Sequence, residues 1–212
     1  MAERPAFFNQ NGNVSSRTYS FAWFPGFAVS QKQKSIESLH DAIRSADPQA
    51  RPLEISTKSK TALGVQLSAF TLRLNGHTLE NLFQSAKVFD QGGPYLDLLQ
   101  IPPREAKRDK RLINSGQLQG FCYQEERFPL SPKTVFYDYI YLAAVKQSLT
   151  DAEIRLISAY NYFTDIEFNP AKSVNTQART AAMLKLMLDE FGFLPDFSRD
   201  GFIQYHRTHV IG

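Results

Sequence analysis

The spacing of apolar residues along the chain predicts a mixture of helices and strands. Helical spacing occurs at residues 30–47, 79–89, 104–111, about 133–147, from 150 onward and about 175–191, the last ending at Gly192. Alternation typical of strands occurs at residues 53–57, 65–74 and 118–123. Residues 1–29 show neither period and are predicted to be loop. Because strands and helices do not alternate regularly, the pattern predicts an α+β fold, a small sheet with a mostly helical surround.

No shift in composition divides the 212 residues into two domains. The first 50 residues are interpreted as an N-terminal extension packed on the core, and residues 51–212 as the main domain. The longest apolar runs are too short to cross a membrane, and the N-terminus lacks the apolar segment of a signal peptide. Cys122 is the single cysteine, which excludes an internal disulfide and a cysteine metal cluster. These features predict a reduced cytoplasmic protein.

The segment 79–89 carries two parallel stripes of side chains. An apolar stripe contains Leu79, Leu82, Phe83, Ala86 and Phe89, which is the pattern of a buried helical face. Glu80, Gln84 and Lys87 follow at i, i+4 and i+7 and form a second stripe beside the first. A carboxylate, an amide and an amine at the edge of a buried face favour a pocket wall over a solvated surface. The alternative is a surface decoration without a role, which describes most helical Glu and Lys residues.

Two further segments carry candidate chemistry. Lys58 follows the predicted strand 53–57, where a lysine is usually exposed to solvent. If it were buried near other cations, its amine would lose a proton more easily and could act as a nucleophile. The loop containing Asp165 runs through Asn175 to Gln177 into a predicted helix N-terminus, which favours anions. The alternative for this loop is a plain N-cap at Asn175 or Thr176.

A basic segment lies between the two prolines at 102–103 and Gly116. Arg104, Lys107, Arg108 and Arg111 recur at helical spacing and predict a short helix with one basic face. The formal net charge of +3 is too small to prove a polyanionic partner. A solvated face partly neutralised by acidic neighbours and a phosphate-binding face both remain open. No histidine pair has metal-ligand spacing, and no phosphate-binding glycine loop occurs, so neither a metal nor a cofactor is expected.

The segment from Leu67 to Phe89 resembles a known family. Leu67-Ser68-Ala69-Phe70, Leu74-Asn75-Gly76 and Glu80-Asn81-Leu82-Phe83-Gln84-Ser85-Ala86-Lys87-Val88-Phe89 follow the order and spacing of the NADAR superfamily motifs, with Ala69 where relatives commonly carry Asn. The resemblance covers roughly residues 53–188. The block Trp23-Phe24-Pro25-Gly26-Phe27 and the segment 30–36 resemble a narrower branch, the NADAR antitoxins associated with DarT-type ADP-ribosyltransferase toxins.

The resemblance implies a hydrolase that removes ADP-ribose from guanine bases in DNA by cleaving an N-glycosidic bond. Its partners would then be ADP-ribosylated DNA, the product ADP-ribose and, functionally, a DarT-type toxin. An alternative enzyme is a YbiA-like N-glycosidase that acts on riboflavin-pathway intermediates. A different class is a non-catalytic ADP-ribose reader, or an antitoxin that acts by binding its toxin directly.

The resemblance also implies roles for individual residues. Glu80 would stabilise positive charge on the ribose or activate water, and Lys58 would attack the anomeric carbon, with Lys87 as the second candidate. Asp165 would orient ribose hydroxyls or assist proton transfer. The remaining assignments are substrate positioning by Ser68, Gln84, Asn175 and Gln177, stacking by Trp23 and Phe70, and DNA contact by Arg104, Lys107, Arg108 and Arg111.

Overall fold

A computed structural model describes residues 1–169, 171 and 173–210. Its strands are β1 (Ala2–Gln10), β2 (Asn13–Phe21), β3 (Pro52–Glu54), β4 (Arg73–Leu74), β5 (His77–Thr78), β6 (Lys87–Phe89), β7 (Leu118–Tyr123), β8 (Glu126–Phe128) and β9 (Tyr162–Thr164). Its α-helices are α1 (Val29–Ala46), α2 (Ala62–Gln66), α3 (Leu79–Ser85), α4 (Pro103–Ala106), α5 (Arg111–Asn114), α6 (Val135–Ser148), α7 (Asp151–Arg155), α8 (Gln177–Phe191) and α9 (Arg199–His209). Short 3₁₀ helices cover Leu96–Gln100 and Leu156–Ala159. The α+β prediction is confirmed.

The first strands form a hairpin, so the prediction of loop over residues 1–29 is wrong. Asn11 and Gly12 join β1 to β2 with φ angles of 52° and 73°. Positive φ at both central residues is the requirement of a type I′ turn, and Asn-Gly is its preferred pair. The β1–β2 register is continuous from Ala2 opposite Phe21 to Gln10 opposite Asn13.

The main sheet has the strand order β2-β1-β9-β3. β1 meets β9 where Phe7 lies opposite Phe163, and β3 runs parallel to β9 with Glu54 opposite Thr164. Parallel strands end on the same edge of a sheet, so the residues that follow Glu54 and Thr164 are neighbours in space. Helix α1 covers this sheet with an apolar face, as its spacing predicted, by burying Ile36, Leu39 and Ile43.

The second layer joins a three-stranded sheet to the long helices. The order of this sheet is β6-β7-β8, and all pairs are antiparallel. Its inner face packs on α3 and α6 through an aromatic cluster in which Phe121 lies 5.1 Å from Phe83 and 4.6 Å from Phe136 between ring centroids. Helix α8 packs against α6, β1 and β9 and is buried along most of its length. It therefore connects the two sheets.

Three predicted elements differ from the structure. The predicted strand at 65–74 is wrong, because this segment holds the end of α2, a turn, and only the short β4. Gly64 allows α2 to pack closely on the end of β3, since a Cβ at this position would overlap the Glu54 carbonyl oxygen and the Ser59 side chain. The predicted helix at 79–89 ends at Ser85, and Lys87 begins β6. Instead of one basic helix at 104–111, the structure has α4, a turn and α5.

Several predicted boundaries are confirmed. β7 covers Leu118–Tyr123, and α7 has a capping box between Thr150 and Glu153. Helix α8 ends at Gly192, which has a φ of 78°. Glycine adopts this angle without the steric clash that a Cβ atom would cause. Helix α9 was not predicted, because this segment was interpreted as a tail. No helix in the described part of the chain is long and apolar enough to cross a membrane.

Candidate active site

The polar stripe on α3 forms a hydrogen-bonded chain. Gln84 Nε2 donates to Glu80 Oε1 at 2.7 Å, and Lys87 Nζ donates to Gln84 Oε1 at 2.7 Å. Lys107 Nζ lies 3.3 Å from the other Glu80 oxygen, Oε2. Gln84 and Lys87 are in contact although α3 ends at Ser85, because a single residue separates the end of α3 from Lys87, the first residue of β6. Thr78 begins the helix by accepting the Asn81 backbone N–H.

The environment of Lys87 makes its amine easier to deprotonate than that of an exposed lysine. Burial lowers the pKa of the Lys87 amine, and the nearby Lys107 charge lowers it further, while Glu80 acts in the opposite direction. The amine also lies 5.2 Å from the centroid of the Phe83 ring. A lysine with a lowered pKa is more readily deprotonated and therefore more nucleophilic at neutral pH.

Two buried carboxyls meet where β3 and β9 end. Glu54, which is 2% exposed, accepts hydrogen bonds from Thr164 Oγ1 at 2.6 Å and from the Ile166 N–H at 2.9 Å. Burial raises the pKa of Glu54. For Asp165, burial first and the Glu54 charge second raise the pKa to about 8. Asp165 therefore retains its proton at neutral pH more readily than an ordinary aspartate.

Glu54 was missed by the sequence interpretation. It stands between apolar neighbours in a buried strand, where a carboxylate is costly unless it is hydrogen-bonded. A second buried polar group, His40 on α1, brings Nε2 within 2.9 Å of the same Thr164 hydroxyl. Burial lowers the pKa of His40 to about 3, so this imidazole is neutral at physiological pH. The sequence signal that could have identified Glu54 is a glutamate in an otherwise apolar strand.

The N-terminus of α8 opens beside Asp165. The Gln177 side chain lies against the Asp165 carboxyl and lowers its pKa, and Gln177 Oε1 accepts the Ala69 N–H at 2.7 Å. Thr176 is the N-cap but makes no capping bond, and its buried hydroxyl has no hydrogen-bond partner among the described residues. Asn175 is half-buried next to it. A helix N-terminus with an unpartnered hydroxyl provides donors suited to an anion.

Arg179 is held in the first turn of α8 by a fully buried aspartate. Its Nη2 lies 3.0 Å and 3.3 Å from the two carboxylate oxygens of Asp138. Asp138 also accepts hydrogen bonds from Thr180 Oγ1 at 2.5 Å and Thr134 Oγ1 at 2.8 Å, and His206 Nε2 lies at 2.9 Å. Burial raises the pKa of Asp138, but the Arg179 charge and the hydrogen bonds outweigh it and lower the pKa overall. This network fixes a guanidinium close to the Asp165 loop.

Tyr137 on α6 packs against Phe83 of α3. Burial raises the pKa of its phenol, and the charges of Asp138, Asp165 and Glu80 raise it further. The phenol therefore stays protonated at neutral pH and can donate a hydrogen bond. Its ring meets Phe83 edge-on at 6.0 Å. Tyr137 was not among the predicted site residues.

The remaining predicted site residues differ in how far they are exposed to solvent. Ser68 is fully buried and accepts the Phe70 N–H at 3.3 Å, whereas the Phe70 side chain is 71% exposed. Lys58 is half-buried beyond the end of β3, and its carbonyl accepts from Gln33 Nε2 at 3.4 Å. Trp23 is half-buried, with Lys32 Nζ 4.8 Å above its ring. Lys32 also pairs with Glu167 at 3.3 Å, which ties this tryptophan to the Asp165 loop.

The predicted basic face is divided among different contacts. Lys107 faces Glu80, and Arg111 Nη2 pairs with Asp97 at 2.6 Å while its Nε pairs with Asp109 at 2.9 Å. Arg104 and Arg108 are exposed and make no ion pair with the described residues. The same part of the chain contains no group of three or more His, Cys, Asp or Glu side chains arranged to hold a metal ion.

The structure is an α+β protein that holds a pair of buried carboxyls at the ends of β3 and β9, a partly buried lysine directly after α3, and an uncapped helix N-terminus at the start of α8. Residues 2–211 match the model of the family described as "DarT1-associated NADAR antitoxin", and the chain belongs to that family. A search of curated proteins returned no significant match.

Proposed function

We propose that this protein removes ADP-ribose from guanine bases in DNA and thereby acts as the antitoxin to a DarT-type ADP-ribosyltransferase. The observation that carries the proposal is that the fold holds both a hydrogen-bonded Glu80 carboxylate on α3 and a buried Asp165 carboxyl whose pKa is raised to about 8. An N-glycosidase needs a carboxylate for the sugar and a proton for the departing nitrogen, and Glu80 and Asp165 are suited to supply them.

The proposed reaction breaks the bond between the ribose anomeric carbon and a guanine nitrogen. Positive charge develops on the sugar as this bond lengthens, and the Glu80 carboxylate stabilises it. Asp165, whose pKa is raised to about 8, donates its proton to the departing nitrogen. Water adds to the anomeric carbon and gives a proton to Glu80, so that guanine and ADP-ribose are both restored.

A lysine nucleophile is the covalent version of the same reaction. Lys58 follows Glu54, the last residue of β3, by four positions. Lys87 is the first residue of β6 and lies directly after α3. Attack by either amine at the anomeric carbon would displace guanine and lead to a Schiff base with the opened ribose. The lowered pKa of Lys87 supports its candidacy, and its hydrogen bond to Gln84 holds the amine in place.

The diphosphate and the bases have suitable contacts around this centre. The N-terminus of α8, Thr176 and the guanidinium of Arg179 favour the diphosphate. In this proposal Asn175 and Gln177 contact the sugars beside it. The exposed Phe70 ring and the half-buried Trp23 ring provide faces for adenine or guanine.

The test is incubation with an oligonucleotide that carries ADP-ribose on guanine, followed by mass spectrometry of both products. We expect free ADP-ribose and an unmodified oligonucleotide. Tight binding without release would instead identify a reader. Release of base from a phosphoribosylamino-pyrimidine, with no action on the oligonucleotide, would identify the riboflavin-pathway activity.

A further inference from the structure

A cleft of about 580 Å³ lies between α9 and the outer face of the β6-β7-β8 sheet. Val88 and Gly120 lie opposite each other on that face, and Ile203 of α9 lines the cleft. Lys87 and Phe121 belong to the inner face, because successive side chains of a strand point to opposite sides. None of the residues described in the candidate active site lines the cleft, although Lys87 and Val88 are consecutive residues.

The walls of this cleft carry positive charge. Arg127 of β8, and Arg199 and Arg207 of α9, line it, with Asp200 as the single acidic residue among the lining residues. Asp200 accepts from Arg199, whose guanidinium also donates to the Arg127 carbonyl. Arg127 and Arg207 make no ion pair with any acidic side chain of residues 1–169, 171 and 173–210. Two guanidiniums, one on the sheet and one on the helix, are thus available to an anionic ligand.

We infer that this cleft binds the phosphate backbone of the nucleic acid strand on either side of the modified guanine. The guanidinium of arginine binds phosphate through two parallel N–H donors, which the ammonium group of lysine cannot do. The basic residues of this cleft are all arginines, as a phosphate site favours. A positively charged groove that follows the backbone is a feature of surfaces that hold single strands without reading their sequence. Val88 and Ile203 line the cleft between its guanidiniums.

The position of the cleft also suits a polymer. Val88 lines the cleft and directly follows Lys87 in β6, so the two side chains lie on opposite faces of one short strand. β6 is an edge strand of its sheet, so a nucleic acid strand can pass around that edge and contact both faces. This inference rests on the proposed function, because only a substrate attached to nucleic acid extends beyond the active site. In the segment 104–111, Lys107 and Arg111 already have acidic partners, which leaves Arg104 and Arg108 of the predicted basic face.

The binding test uses an unmodified, fluorescently labelled single-stranded oligonucleotide and fluorescence anisotropy at several salt concentrations. We expect Arg127→Ala with Arg207→Ala to weaken binding about tenfold or more, and to reduce the slope of log affinity against log salt by about 1.4, at roughly 0.7 per lost phosphate contact. The matched control is Arg17→Ala with Arg51→Ala, which removes the same charge from exposed positions elsewhere. The double Arg→Gln variant at 127 and 207 keeps longer side chains and should behave like the double alanine variant if the cleft remains folded.

The outcomes separate the cleft from the catalytic proposal. The inference is supported if the cleft variants lose oligonucleotide binding while release of ADP-ribose from a modified mononucleotide is unchanged. It is overturned if their binding equals that of the wild type, if the control variant loses as much, or if mononucleotide turnover falls in parallel. Normal oligonucleotide binding combined with lost binding to a purified DarT-type toxin would overturn it in favour of a protein partner. Absence of ADP-ribose release from every substrate would refute the proposed function, while the anisotropy result would still decide the role of the cleft.

Discussion

The substitution Asp165→Asn should change both the stability of the protein and its dependence on pH. The Asp165 carboxyl is 8% exposed, and burial and the nearby Glu54 charge raise its pKa from 3.8 to about 8. Between these values the folded protein keeps a proton that the unfolded chain has released. Folding is therefore favoured at low pH, and the free energy of unfolding falls as pH rises through this range.

The size of the effect follows from the shift. A change from 3.8 to about 8 corresponds to roughly 6 kcal/mol at 1.36 kcal/mol per pKa unit. The part of this dependence between pH 5 and about pH 8 is about 4 kcal/mol, and Asp165→Asn should remove it because the titrating group is gone. Asparagine has nearly the same shape and remains neutral at every pH. Between pH 5 and pH 9, the free energy of unfolding should therefore fall less for the variant than for the wild type.

The assay is urea unfolding followed by circular dichroism at pH 5, 7 and 9. Asp41→Asn, at an exposed position on α1, is the matched control and should follow the wild type within about 0.5 kcal/mol. Parallel stability curves for wild type and Asp165→Asn would refute the assignment of a buried protonated carboxyl. The same variant should lose the release of ADP-ribose by roughly 10²–10⁴-fold, because its amide cannot donate a proton as an acid does. In the wild type this release should fall as pH rises through about 8.

Four further substitutions test other parts of the account. Glu80→Gln should lower release about 100-fold or more without changing the melting temperature, and comparable activity of the folded variant would contradict its role at the sugar. Borohydride trapping should yield a protein–ribose adduct that disappears in Lys58→Ala or in Lys87→Ala, whereas a reaction of water alone leaves no adduct in any variant. Gly64→Ala should destabilise the fold by about 1–3 kcal/mol in urea unfolding, because the new methyl group overlaps the Glu54 carbonyl, and unchanged stability would contradict the tight packing there.

Elements with strong local signals could be predicted from the sequence. Helix α7 begins at a capping box, and α8 ends at a glycine with positive φ, as predicted. The first hairpin was missed although Asn11-Gly12 is a strong turn signal, because its strands are only partly buried and show weak alternation. The segment 65–74 contains the apolar residues of a strand, but contacts of its turn with Gln177 and α6 determine its conformation.

The candidate site could be predicted only where its residues share one element. Glu80, Gln84 and Lys87 were recognised together because of their helical spacing in the sequence, and their hydrogen bonds link them although Lys87 lies in β6. Glu54 and Tyr137 were missed, since their importance depends on contacts made across the fold. Asp165 lies far from Glu54 in the chain, and only the parallel pairing of β3 with β9 brings them together.

The central claim is that Glu80 and Asp165 act together in releasing ADP-ribose from guanine. The most direct measurement is a single-turnover assay of guanine-ADP-ribosylated oligonucleotide with wild type, Glu80→Gln and Asp165→Asn, each shown to be folded and to bind ADP-ribose. The account predicts release of ADP-ribose and an unmodified oligonucleotide with the wild type, and severe loss of both with either variant. Undiminished release by the two variants, or binding without release by the wild type, would contradict it.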